Sequence, residues 1–435
     1  MEIRPVSNMP LTQVSAPAPK AEAEPMPKET FVSSSNSAIV CDSSGNLAEL
    51  KKTLLAQHPG STITADLPLV NGFSISIPKE EGNAAEVLSG LEKQGAAVFP
   101  DIELGSPDSK EVEALAHTFS PVLGGDNVML GAEKLHEQGI TGKGVTVCVI
   151  DSGVAPHPDL GDRLIAFKDC VNGNKEPYDD CGHGTHCAGI IAGDGTSSGG
   201  KTIGVAPEAN IVGVKVLDAW GNGSTSQIIK GIQWAVTHKH KYHIDVINMS
   251  LGRDITRPRL LDPMTMAVQA ASLAGITVVC SAGNEGAAPG TVCSPGNAPR
   301  AITVGALDTQ GTESTEDDFV AYFSSRGPTK FDNLNKPDIV APGVDINSLS
   351  NDGIGYTKKS GTSMAAPFTA GVAALMKQVK PNLRPSQLKE LMTGSTVHTD
   401  YQLDHDTWGS GIIDPVESVE AAKHGSVRFP YSRDV

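Results

Sequence analysis

Four polar residues of this chain sit in settings that suit acyl transfer. Asp151 ends the apolar run VCVIDSGV, and His183 lies between two glycines in CGHGTHCAG. Asn284 follows an apolar stretch in CSAGNEG, and Ser363 sits in SGTSMAAP. A serine hydroxyl is a poor nucleophile until a base takes its proton. Imidazole suits that task near neutral pH and can then hand the proton to a leaving amine. A carboxylate orients the imidazole and stabilises its cation, and N–H donors stabilise the developing oxyanion. The glycines have a physical use. Gly182 and Gly184 leave room for backbone and substrate beside His183. Gly361 permits a tight entry into a helix, so the Ser363 N–H falls among the unpaired donors of a helix N-terminus.

Such groups need strand ends and helix starts to hold them. Beyond residue 120, apolar runs such as VTVCVI, NIVGVKVL, DVINMS and ITVVCSAG alternate with helical stretches such as SQIIKGIQWAV. This predicts an α/β fold with a doubly wound, mostly parallel sheet covered on both faces. Functional groups then gather beyond the C-terminal ends of the strands. Upstream, the patterning predicts strands over 37–41, 61–67, 72–78 and 96–104, with helices over 47–58 and 84–94. The order β-α-β-β-α-β is that of a small ferredoxin-like α+β domain. Residues 1–36 are rich in Pro, Ala, Glu and Ser without periodicity, which predicts a disordered leader. The expected division is a leader at 1–36, a small domain with its tail at 37–119, and the α/β domain at 120–435.

The stretches DSG, GHGTHCAG, SLG, AGNEG and GTSMAAP, in that order, resemble the subtilisin family of serine endopeptidases. The chain order Asp, His, Ser is also that family's. The resemblance implies a triad of Asp151, His183 and Ser363, with Asn284 and the Ser363 N–H as the oxyanion hole. It implies that Ser250, Leu251 and Gly252 pair with the substrate backbone, a mode that gives affinity without strict sequence choice. Ala282 and Gly283 would wall the S1 pocket. TVCSPGNAP would form its base, with a cis bond before Pro295. Cys293 stands where relatives often carry glycine, which makes S1 shallower. The small domain occupies the place of an inhibitor-type propeptide that also assists folding. An ungapped alignment puts the mature N-terminus at Ser120, so that Ala116, His117, Thr118 and Phe119 become P4 to P1. Cleavage there leaves 435 − 119 = 316 residues. GSPDSKEVEA makes the connection longer than is usual, which leaves cleavage elsewhere in 104–120 open. The resemblance implies broad specificity with an apolar or aromatic P1, and no cofactor for the chemistry. Structural calcium has Asp159 as its candidate ligand, although the facing loop GTSSGGKTIG lacks the usual Asn ligands.

Other readings compete. CGHGTHC has the residue types of a zinc site in Cys181, His183, His186 and Cys187, but they crowd into seven residues rather than two separated pairs. His186 reads as structural. Asp179 and Asp180 serve equally as turn residues or ligands. A catalytically silent subtilisin fold acting as a binding module is the alternative from another class. The formal net charge of −16 repels phosphate backbones and argues against a nucleic-acid partner. No apolar run is long enough to span a bilayer. The expected partners are polypeptide substrates and the chain's own small domain as inhibitor, on a monomer. Seven cysteines read as thiols rather than a disulfide framework, with pairing of Cys170 and Cys181 left open. Together with the lack of a visible signal segment, this favours a cytoplasmic setting, with non-classical export as the other route.

Overall fold

The computed structural model describes residues 36–42, 45–78, 84–105, 129–312, 314–398 and 404–427. All of them fall in one unit, Ser33–Val435. The expected leader lies outside these residues apart from Asn36, and so do Phe119 and Ser120.

The first sheet is built from β1 (Ser37–Cys41), β2 (Thr62–Leu67), β3 (Gly72–Ser76) and β4 (Ala97–Pro100), ordered β2-β3-β1-β4. Helices α1 (Leu47–Gln57) and α2 (Ala84–Lys93) make the two connections. The element order is the one expected from the sequence. One difference matters. The strand expected over 96–104 is two strands, because β4 stops at Pro100 and a new strand, β5 (Glu103–Gly105), leaves the sheet. Proline has no N–H to continue a ladder. β5 instead pairs antiparallel with β9 (Asn222–Ser224) of the larger part.

The larger sheet has eight strands. They are β6 (Thr146–Asp151), β7 (Leu164–Asp169), β8 (Asn210–Lys215), β10 (Ile244–Met249), β11 (Thr277–Ser281), β12 (Ile302–Asp308), β13 (Phe319–Val320) and β14 (Ile339–Pro342). The order is β13-β12-β11-β10-β6-β8-β7, with β14 also pairing β12. Every pair is parallel except β12 with β13. Successive strands leave β6 toward β8 on one side and β10 toward β12 on the other. The crevice between β6 and β10 is therefore the switch point where such sheets place their sites.

The longer helices are α3 (His183–Ala192), α4 (Thr225–Thr237), α5 (Pro263–Leu273), α6 (Thr362–Val379), α7 (Pro385–Gly394) and α8 (Pro415–His424). α3 and α6 pack on one face with Val147, Val149, Ile191, Val279 and Leu375 in the core. On the other face α4 and α5 cover Cys148, Ile150, Val212, Ile247 and Val278. That second core does not stop at the large sheet. It continues without a break into Ile39, Leu67, Val70 and Phe99 of the small one. Polar contacts reinforce the join: Thr225 N–H donates to the Ile102 carbonyl at 2.9 Å, and Lys230 Nζ to the Thr64 carbonyl at 3.2 Å. No helix among the described residues is long and apolar enough to cross a membrane.

Candidate active site

β6 carries a fully apolar run to the crevice and ends on Asp151, which is completely buried. α3 begins at His183 after Gly182, whose φ of +92° few residues with a Cβ adopt. Gly184 follows. A Cβ on it would lie 2.1 Å from the Gly153 carbonyl oxygen, so only glycine lets the helix start approach the turn after β6. This closeness brings His183 Nδ1 to 2.6 Å from Asp151 Oδ1, with both side chains out of solvent. Asp151 Oδ1 also accepts from the Ser152 N–H at 2.7 Å.

α6 delivers Ser363 as its second residue. Its hydroxyl donates to the Ser250 carbonyl at 3.4 Å, a long contact. Its own carbonyl accepts from Ser250 Oγ at 2.9 Å. Asn284 is tied to the same helix start. Its side-chain oxygen accepts from both the N–H and the hydroxyl of Thr362 at 2.9 Å, which leaves the Nδ2 end as the donor. Thr362 Oγ1 in turn accepts from Gly283 N–H at 3.2 Å. The structure thus pairs Asp151 with His183 and gathers Ser363, Asn284, Ser250 and Gly283 around the start of α6, and the Cys187 thiol of α3 reaches the Ser363 carbonyl at 3.5 Å.

The expected pocket residues also converge. Leu251 and Gly252 follow β10, and Arg253 exchanges backbone hydrogen bonds with Ser294 at 2.9 and 2.8 Å. Cys293 N–H donates to the Ala282 carbonyl at 2.8 Å. The Ser294–Pro295 bond is cis, as expected. The Cys293 sulfur lies between the two glycine walls: a Cβ on Gly252 would meet it at 2.3 Å and one on Gly283 at 3.0 Å. Burial pushes its thiol up to about 12, so it stays neutral.

Two metal readings meet their residues here. Asp159 is fully buried, and its oxygens accept from the Ser197 N–H and the Tyr356 hydroxyl, each at 2.7 Å. Each oxygen thus already carries a protein donor, and among the described residues no group of three His, Cys, Asp or Glu side chains gathers around Asp159 as a cage would need. The four residues of CGHGTHC do not form a cage either. Among the described residues, the one group of three with ligand atoms within 4.8 Å is Asp151, His183 and Cys187. His186 faces away and bridges the Ile346 and Thr357 carbonyls at 3.1 and 3.0 Å. None of the seven cysteines is in a disulfide, Cys170 and Cys181 included.

Sequence reasoning missed Thr362, which fixes the Asn284 amide, and left the role of Asp179 undecided. Asp179 accepts from the Ser152 hydroxyl and from donors around His183. A short Asp-rich turn before a helix is the one signal that marks it.

Residues 142–411 match the family model described as Subtilase family. The chain is 45% identical over 331 residues to the serine protease AprX of Bacillus subtilis, covering 72% of this chain and 73% of that protein. It is 37% identical over 307 residues to subtilisin E of the same organism, covering 70% and 73%. Among solved structures, fervidolysin from Fervidobacterium pennivorans, a keratinolytic enzyme related to subtilisin, superposes with a TM-score of 0.69 at 26% identity. That superposition covers 90% of this chain and 61% of the fervidolysin chain.

Proposed function

The chain belongs to the subtilase family and is a serine endopeptidase, and from this we propose that Ser363, His183 and Asp151 carry its chemistry. The observation that carries this proposal is the buried 2.6 Å contact of His183 Nδ1 with Asp151. That contact commits Nδ1 to the carboxylate and leaves Nε2 as the ring atom for proton transfer. Ser363 Oγ attacks the scissile carbonyl while His183 takes its proton. The Asn284 amide and the Ser363 N–H, at the start of α6, hold the oxyanion. His183 then protonates the leaving amine, and water repeats the sequence on the acyl-enzyme.

Substrate adds as a strand beside Ser250, Leu251 and Gly252, with P1 between Gly252, Gly283 and Cys293. An apolar or aromatic P1 suits that lining, and polypeptides are the substrate class. The small sheet acts as an inhibitor and folding aid in a zymogen that cuts itself. Its support is the shared core, and the way β5 already adds a strand to β9. Phe119 and Ser120 are the proposed first cleavage pair. The proposed setting is cytoplasmic, where cysteines stay out of disulfides, as all seven do here.

Expression of wild type beside Ser363→Ala, followed by N-terminal sequencing, tests this. Wild type yields a fragment beginning at Ser120, and its Ser363 takes up a fluorophosphonate. Identical cutting of both proteins defeats self-processing. Absence of an adduct defeats the nucleophile and favours a silent binding fold.

A further inference from the structure

We propose that Asp179 is a positioning residue for the triad, a carboxylate that clamps the strand end carrying Asp151 onto the helix start carrying His183. The proposal rests on the triad assignment above. Asp179 is buried and lies four residues before His183. Its Oδ1 accepts from the Ser152 hydroxyl at 2.9 Å, the Cys181 N–H at 3.1 Å and the Gly182 N–H at 2.8 Å. Its Oδ2 accepts from the Thr185 N–H at 2.9 Å and the Thr185 hydroxyl at 2.7 Å. The Ser152 oxygen is itself used a second time, accepting from the Gly184 N–H at 3.0 Å.

Ser152 is the covalent neighbour of Asp151, and Gly182 and Gly184 are the covalent neighbours of His183. One carboxylate therefore holds both sides of the 2.6 Å contact through residues bonded directly to its two members. Thr185 extends the clamp by accepting from the Ala155 N–H at 2.9 Å, beyond the turn after β6. Asp179 is fastened in its turn, because its carbonyl accepts from Asn351 Nδ2 at 2.9 Å. Nothing in the arrangement suits a metal, since N–H and O–H donors occupy both oxygens.

Ionisation matters here. A carboxylate is an acceptor on both oxygens, and its bonds to N–H groups are charge-assisted and strong. It also lies at the N-terminus of α3, where negative charge is favoured. An asparagine offers one accepting oxygen, and its NH₂ would face the donors of Thr185 or of the Cys181–Gly182 turn. The helix start must then shift relative to β6. Such shifts act on rate, because misplacing a catalytic group by about 1 Å costs roughly 10²-fold.

The test compares Asp179→Asn and Ser152→Ala with wild type on a peptide substrate, counting active sites by fluorophosphonate titration. For Asp179→Asn we expect kcat to fall roughly 10²-fold with KM nearly unchanged. Ser152→Ala, which removes only the bridging hydroxyl, should lose about tenfold, a fraction of that effect. A second readout needs no activity. In the full-length Ser363→Ala protein, the downfield proton signal of the His183–Asp151 hydrogen bond should be lost on adding Asp179→Asn. Unchanged kcat and an unchanged proton signal, with only a lower Tm, would overturn the proposal. If Asp179→Asn does not fold, Ser152→Ala decides on the same two readouts. Full activity of Ser363→Ala would instead defeat the triad assignment, a separate failure.

Discussion

The carboxylate of Asp101 accepts from both the N–H and the hydroxyl of Ser226, at 2.9 and 2.6 Å, across 125 residues of sequence. Asp101 follows the last strand of the small sheet, and Ser226 lies in the first turn of α4. The small part thus supplies an anion to a helix N-terminus of the large part, beside the cap that Ser224 and Gln227 already make. Replacing Asp101 by Ala should cost about 0.5–2 kcal/mol of docking, by analogy with lost caps. In a processed complex this reads as roughly 2- to 30-fold weaker inhibition.

The same carboxylate makes docking depend on pH. Burial raises Asp101 above the ordinary carboxylate value, against the lowering effect of its Ser226 bonds. Undocked and exposed, it would titrate near 3.9. Docking therefore takes up protons in that acidic window, so affinity is highest at the acid end and falls as pH rises through the docked value. Titration calorimetry on the processed complex of an inactive enzyme checks this. The Asp101→Asn protein should show no such slope.

Cys293 should set the depth of the specificity pocket. Its sulfur fills the gap between Gly252 and Gly283. Cys293→Gly is expected to raise kcat/KM for a large aromatic P1 over alanine by about tenfold, the scale of a small change in pocket volume. A ratio that does not move would place P1 elsewhere. With its thiol buried and neutral, Cys293 should also resist iodoacetamide at pH 8.

Asp318 carries a cost that rises with pH. It is buried, neither carboxylate oxygen has a hydrogen-bond partner among the described residues, and Asp308 and Asp317 lie close enough to act on it. Burial pushes it up to about 7, with the two negative neighbours adding to the effect. Unfolded, it titrates near 3.9. Between these values the folded chain holds more protons, so stability falls as pH rises from about 4 through about 7. Asp318→Asn removes the titration. Its Tm should exceed that of the parent increasingly between pH 5 and pH 8, measured in the Ser363→Ala background to prevent autolysis. Parallel curves would show that the carboxyl is not the titrating group.

Gly184→Ala tests the close approach beneath the His183–Asp151 contact. The added methyl would stand 2.1 Å from the Gly153 oxygen and 3.0 Å from the Asp151 side chain. The helix start must retreat, so kcat should drop by roughly 10²-fold or more while the fold persists. Circular dichroism and fluorophosphonate labelling rates separate those effects.

Much of this was legible because catalysis demands residue types that are unusual where they stand. Asp151 after the apolar run Val147–Ile150 and His183 between glycines announce themselves. Elements of the small sheet were equally clear, since alternation and helical spacing are local signals. What was not legible depended on distant partners. The stop at Pro100 was there to be read, but the separate strand Glu103–Gly105 forms against β9, which has no mark as a docking edge. Asp101 looks like any turn aspartate until Ser226 is placed against it. Asp179 and Thr362 hold other residues in place, and their hydroxyl and carboxylate types occur throughout ordinary turns.

The apolar core that runs unbroken from Phe99 and Leu67 into Val212 and Ile247 has a consequence for timing. While the chain is intact, the small sheet faces its docking surface at the high effective concentration a tether provides. Under the proposed self-cleavage the same contact becomes a bimolecular equilibrium. The proposed inhibition would then depend on how dilute the molecule is. A crowded compartment would keep the cut enzyme silent, and dispersal or digestion of the freed piece would release it without any further change in structure.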